Sequence, residues 1–194
     1  MKTNKLILLL MLCFSVTIFA QDDDDMDDMS TDETMVDNEN DHAKLMADAD
    51  AAIDSFKSTD ASMAQKFSDA VAYVIFPNVG KGALVVGVSS GNGVVYENGV
   101  MIGTADLKKL DIGLQAGGKA FSEAIIFNTD EAFQKFKNNE LEFAANASAV
   151  VLKSGKSAEA KFNDGVAVFA MPKGGLMAEA SVGGQKFEFS PWNN

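Results

Sequence analysis

The chain of 194 residues contains no arginine, one cysteine, one histidine, one tryptophan and three prolines. All 16 basic residues are lysine. Without Arg there is no guanidinium fork for bidentate capture of phosphate or carboxylate. With one His and one Cys there is no ligand set for a structural zinc. Cys13 lies in the first 20 residues, so the remainder has no thiol for a disulfide, a nucleophile or a metal. Positive charge is also scarce. The formal charge is −12, yet residues 21–41 alone hold eleven acids and no Lys, and residues 1–20 hold two Lys and no acid. Taking both away from the 28 acids and 16 Lys leaves residues 42–194 with 17 acids and 14 Lys, or −3. A near-neutral body with no Arg excludes a nucleic-acid binder, which carries a basic face.

The first residues, MKTNKLILLLMLCFSVTIFAQ, place Lys2 and Lys5 ahead of an apolar run from Leu6 to Ala20. Fifteen residues are too few to cross about 30 Å of hydrocarbon as a helix. The pattern predicts a secretory signal over 1–20, cut after Ala20, and an exported, periplasmic or extracellular product. A lipid anchor on Cys13 fits less well, because Leu12 is large and the apolar run continues beyond it. Residues 21–40, QDDDDMDDMSTDETMVDNEN, read as a disordered acidic spacer, with charge of one sign and few apolar residues. The stretch lacks the central Gly of a calcium-binding loop, so no metal site is assigned. Residues 41–194 form one domain, long enough to bury roughly two thirds of the surface of its unfolded chain.

Within that domain Asp41 is expected to cap a helix over His42–Lys57, with Leu45, Ala49, Ile53 and Phe56 at helical spacing. A second helix begins near Thr59-Asp60, with Ala64, Phe67, Ala70 and Val71 inward. After Pro77 glycines multiply and the period falls to two. Strands are expected at 82–89, 93–96, 100–104, 109–116, 120–127, 142–152, 165–170, 175–182 and 185–189, with Asn98-Gly99 as a hairpin turn and a short helix after Asn128–Asp130. The fold class is α+β: an N-terminal helical pair on an antiparallel, sandwich- or barrel-like sheet, with one further short helix.

Two catalytic patterns fail on context. Gly87-Val88-Ser89-Ser90-Gly91 matches a nucleophile elbow, but a second strand follows where a helix is needed, and His42 lies upstream. It reads as a turn between strands. Gly113–Lys119 resembles a phosphate loop but continues with Ala120 and a strand. Trp192 reads as a lid on one end of the core, with a membrane-interface anchor as the alternative. No cofactor, metal or catalytic residue is assigned.

The order of segments resembles the SYLF domain over residues 43 to 190. The residues that carry the resemblance are Phe76-Pro77-Asn78-Val79-Gly80-Lys81-Gly82, the Gly91-Asn92-Gly93 turn, and Gly113-Leu114-Gln115-Ala116-Gly117 leading to the strand and helix of Phe121–Phe136. The resemblance implies a non-enzymatic, lipid-binding module. Eukaryotic members bind phosphoinositides and some bind actin. In this chain Asp48, Asp50 and Asp54 make the first helix acidic, which opposes an anionic membrane, and an exported bacterial protein meets no actin unless it reaches a host. The expected lipid-contacting residues are Lys44, Lys57 and Lys66 at the rim of the helical pair, with Lys81, Lys108 and Lys109. Two other readings stand beside this one: an envelope or extracellular protein-interaction module with an acidic tether, and, last, a hydrolase using Ser89 or paired carboxylates.

Overall fold

A computed structural model describes residues 30–81, 88–110, 120–144, 147–152, 160–173 and 180–192. The elements run α1 (Ser30–Thr59), α2 (Ser62–Asp69), β1 (Ala72–Lys81), β2 (Val88–Glu97), β3 (Val100–Leu110), β4 (Phe121–Phe127), α3 (Asp130–Lys137), β5 (Ser148–Val151), β6 (Val166–Pro172), β7 (Ala180–Ser181) and β8 (Gln185–Pro191). The expected α+β architecture is present: helices precede a sheet that ends without closing.

The strands form one sheet in the order β7-β5-β6-β4-β1-β2-β3-β8. Seven gaps of about 4.8 Å would set β7 and β8 roughly 34 Å apart if the sheet were flat. Yet only residues 182–184 join Ser181 to Gln185, a path of at most about 14 Å. The sheet therefore curls until its two edges meet, and the barrel-like shape comes from chain connectivity without a closing ladder. One pairing departs from the antiparallel expectation. β5 lies parallel to β6, so the sheet is mixed.

Curling gives the sheet an inner and an outer apolar face. The inner core holds Val74, Phe76, Val95, Leu107, Ile125, Phe127 and Phe187, closed by Phe133 and Phe136 of α3. The outer core holds Tyr73, Ile75, Val94, Tyr96, Ala124, Ile126 and Phe169, covered by Ala49, Ile53 and Phe56 of α1 and Met63 and Phe67 of α2. Each fully buried Phe contributes about 1.5–3 kcal/mol of apolar transfer. β1 sits between the layers and is buried on both faces. Its side chains therefore lack polar alternation, and the run Val71–Phe76 was readable only as an apolar tail to the second helix. Pro77 is accommodated because the register of β1 shifts between Phe76 and Val79 against β4, and between Ile75 and Gly80 against β2.

The helix expected from His42 begins at Ser30, so Asp41 lies inside it and caps nothing. The helix thus enters the stretch read as spacer, whose residues 21–29 lie outside the described ones, as do residues 1–20. In α2 the inward residues are Met63 and Phe67, while Ala64 is exposed. The Gly91 turn is absent: β2 is continuous from Val88 to Glu97. A Cβ on Gly93 would sit 2.7 Å from the Phe76 ring, so this glycine lets β1 and β2 approach. Of the strand expected over 142–152 the described residues show Ser148–Val151. Residues 82–87, 111–116, 145–146 and 175–179 of the expected strands lie outside the described residues.

Candidate functional site

Backbone pairing brings three of the six lysines named above to one end of the sheet. Lys81 pairs with Ser89, Ser89 with Lys109, and Lys109 with Gln185, a row across β1, β2, β3 and β8. Lys81 and Lys109 are fixed by this register alone. In the next row Ser90 pairs with Lys108 and Lys108 with Lys186. Lys108 and Lys186 are both exposed. Lys173, exposed just beyond β6, belongs to the same end. Its backbone N–H donates to the Ala120 carbonyl, and its ammonium donates to the Asn78 side chain.

Directly opposed side chains on neighbouring strands have Cβ atoms about 5 Å apart, and like charges there are unfavourable. Lys108 and Lys186 are such a pair, and Asp106 and Glu188 are a second one two residues along. Among the described residues the ion pairs are Lys44–Asp48, Lys135–Glu131 and Lys137–Glu97, and neither Lys108 nor Lys186 has one. Two ammonium groups side by side, with carboxylates two residues along but no direct ion pair, can share an anionic partner.

The other three lysines lie on the helical layer. Lys44 is held by Asp48 at 2.5 Å. Lys57 is exposed in the last turn of α1. Lys66 is half-buried, with its ammonium 5.9 Å from the centre of the Phe169 ring. The apolar stripe of the helical pair is consumed by the sheet, since Ala49, Ile53, Phe56, Met63 and Phe67 are all buried. Among the residues whose burial is described these helices offer no free apolar stripe for lipid, which separates Lys44, Lys57 and Lys66 from the strand-end group. Lys186 and Lys173 were not singled out from the sequence. Lys186 occupies the polar phase of its strand, but only the non-sequential pairing of β3 with β8 sets it beside Lys108.

The first of these rows ends in a buried polar pair. Gln185 Nε2 donates to Glu123 Oε2 at 2.9 Å, and both residues are almost wholly buried. A shallow groove of about 440 Å³ on another face is lined by Asp41, His42, Lys44, Leu45, Asp48 and Asn92. His42 leans on Trp192 with ring centres 6.3 Å apart, and Trp192 donates its backbone N–H to Ile102. Among the described residues no three His, Asp or Glu side chains converge to hold a metal ion. Ser89 lies inside a continuous strand, so the strand-turn-helix geometry of a nucleophile elbow is absent. None of the helices in the described residues is long and apolar enough to cross a membrane.

Between α1 and the sheet, Tyr73 and Tyr96 stack with ring centres 4.7 Å apart. Burial, and then the nearby Asp50 carboxylate, raise both hydroxyl pKa values above the ordinary tyrosine range. Tyr96 also donates to Asp50 at 3.4 Å.

Comparison with known proteins agrees with the order of segments. The family model described as "Ysc84: Las17-binding protein actin regulator" matches residues 108–194. Beta cell expansion factor A of Aeromonas veronii is 28% identical over 123 residues, which is 62% of this chain and 46% of that protein. The chain therefore spans about half the length of the curated relative it matches. The family is one of binding domains linked to lipid and to actin regulation. The matched segment begins at Lys108, includes Gly113-Leu114-Gln115-Ala116-Gly117, and runs on through β4, α3 and β8. This segment, somewhat under half of the chain, is similar to the Ysc84 (SYLF) family, as the order of segments implied.

Proposed function

We propose that this chain is a non-catalytic binding module of an exported protein, and that it engages an anionic lipid or membrane surface through the lysine-bearing end of the sheet. The observation that carries this reading is the cross-strand pairing of Lys108 with Lys186, both exposed and without an ion-pair partner, beside the register row of Lys81 and Lys109. Each Lys near an anionic surface contributes about 1 kcal/mol at moderate salt. Exposed lysine charge at this end suits a surface with anionic head groups.

The acidic first helix bears on orientation. Asp48, Asp50 and Asp54 lie on the layer outside the sheet and disfavour docking by that layer. Flotation of the protein, lacking residues 1–20, with neutral and with anionic vesicles tests the reading. Binding confined to anionic vesicles supports it; absence from every vesicle fraction would refute it. Cell fractionation tests the export.

A protein partner is the second reading, supported by the description of the matching family as Las17-binding. Pull-downs with wild-type protein and with Lys108→Glu discriminate. A partner retained by both proteins would not depend on the lysine end.

A further inference from the structure

We infer that β8 is a latched strand: the curled sheet opens along the seam between β8 and the β7–β5 edge, and the Gln185–Glu123 hydrogen bond holds that seam shut. The inference does not rest on the lipid reading.

β8 has a ladder on one side only, with β3. On the other side its sequence neighbour β7 pairs with β5 instead, although residues 182–184 bring the two edges together. Among the described residues the seam side of β8 is held by two hydrogen bonds. Phe189 N–H donates to Asn139 Oδ1 at 2.9 Å, and Gln185 N–H donates to the Val182 carbonyl at 3.2 Å. The second is internal to the turn and joins β8 to nothing beyond it. Asn139 reaches the strand from the end of α3, where its positive φ of 61° turns the chain.

What fastens the Gln185 end is the inner face. β4 and β8 are separated by β1, β2 and β3 in the sheet, yet their side chains meet across the interior through Gln185 and Glu123. This bond joins the start of β8 to the opposite wall. The side chains of Phe187 and Phe189 then lie against Phe76, Phe136 and Phe143 by ring contact. Ring contacts tolerate sliding, whereas a hydrogen bond between two buried side chains has a narrow geometry. Local opening follows the line of fewest ladder bonds. That line is the seam, and its opening would uncover the aromatic interior.

Native-state hydrogen exchange on the full chain tests the latch. In the wild-type protein the Phe189 amide, the β8 amide bonded across the seam to Asn139, is expected to exchange at least about tenfold faster than the ladder amides of β1 and β2, through an opening smaller than global unfolding. In Gln185→Leu the Phe189 rate is expected to rise by about a further tenfold, with β1 and β2 unchanged. Equal protection of the Phe189 amide and β1 in the wild type would overturn the inference, whether or not the variant folds. So would a rate increase spread evenly over the whole sheet in Gln185→Leu.

Discussion

Lys108 on β3 and Lys186 on β8 stand directly opposite one another, with Asp106 and Glu188 as a second like-charged pair two residues along. Like charges at this separation oppose folding, by about 0.2–1 kcal/mol per pair. Replacing Lys186 with Glu puts opposite charges across the ladder. The variant is expected to gain stability of that order, seen as a higher urea midpoint, and to bind anionic vesicles about fivefold more weakly, following roughly 1 kcal/mol per lysine. A substitution that stabilises the fold and weakens binding separates a functional charge from a structural one. Equal binding by both proteins would remove Lys186 from the site.

The inner core depends on Phe136 of α3. Its ring lies 5.4 Å from Phe127, 5.8 Å from Phe187 and 6.1 Å from Phe189, and the residue is fully buried. Phe136→Ala is expected to cost about 3–5 kcal/mol in chemical denaturation. A loss below about 1 kcal/mol would show that α3 does not close this face.

Tyr96 sets a limit at alkaline pH. Burial, with Asp50 second, raises its hydroxyl pKa above the ordinary value of about 10. The folded state therefore holds the proton more tightly than the unfolded state does. The stabilisation is complete below about pH 10 and is lost as pH rises above it. Urea midpoints of the wild type are expected to fall between about pH 9.5 and 11.5, and Tyr96→Phe should flatten that decline. Parallel declines in both proteins would assign the effect to other groups, Tyr73 among them.

Gly165 permits the turn into β6. Its φ is +82°, and an added Cβ would lie 2.3 Å from Thr129 Oγ1. That same oxygen accepts the Ala132 N–H at the start of α3. Gly165→Ala is expected to cost about 1–3 kcal/mol through backbone strain and displacement of the cap. Thermal unfolding measures it, and an unchanged midpoint would contradict the cap geometry.

Much of this fold was legible where one physical signal dominated. The stripe of Ala49, Ile53 and Phe56 marked α1, Asn98-Gly99 marked the β2–β3 turn, and Thr129 with the acids after it marked α3. The start of α1 was misplaced because Asp41 has the chemistry of a cap and the charge run ahead of it favours disorder in isolation. β1 was missed because a strand buried on both faces has no alternation, and Pro77 at its register shift mimics a terminator. Lys81, Lys108 and Lys109 could be named from the sequence, but their union with Lys186 could not. It depends on β8 returning to β3 across the chain, a contact that no local pattern encodes.

The most direct test of the lysine-end reading is a salt series of vesicle co-sedimentation, comparing the wild type with Lys108→Glu/Lys186→Glu on anionic vesicles. Wild-type binding is expected to weaken as ionic strength rises from about 0.05 M to 0.5 M, as screening shortens the reach of the ammonium groups. The double variant is expected to bind at least about tenfold more weakly at the lowest salt and to lose most of the salt dependence. Equal binding and equal salt slopes in the two proteins would contradict docking through this end of the sheet.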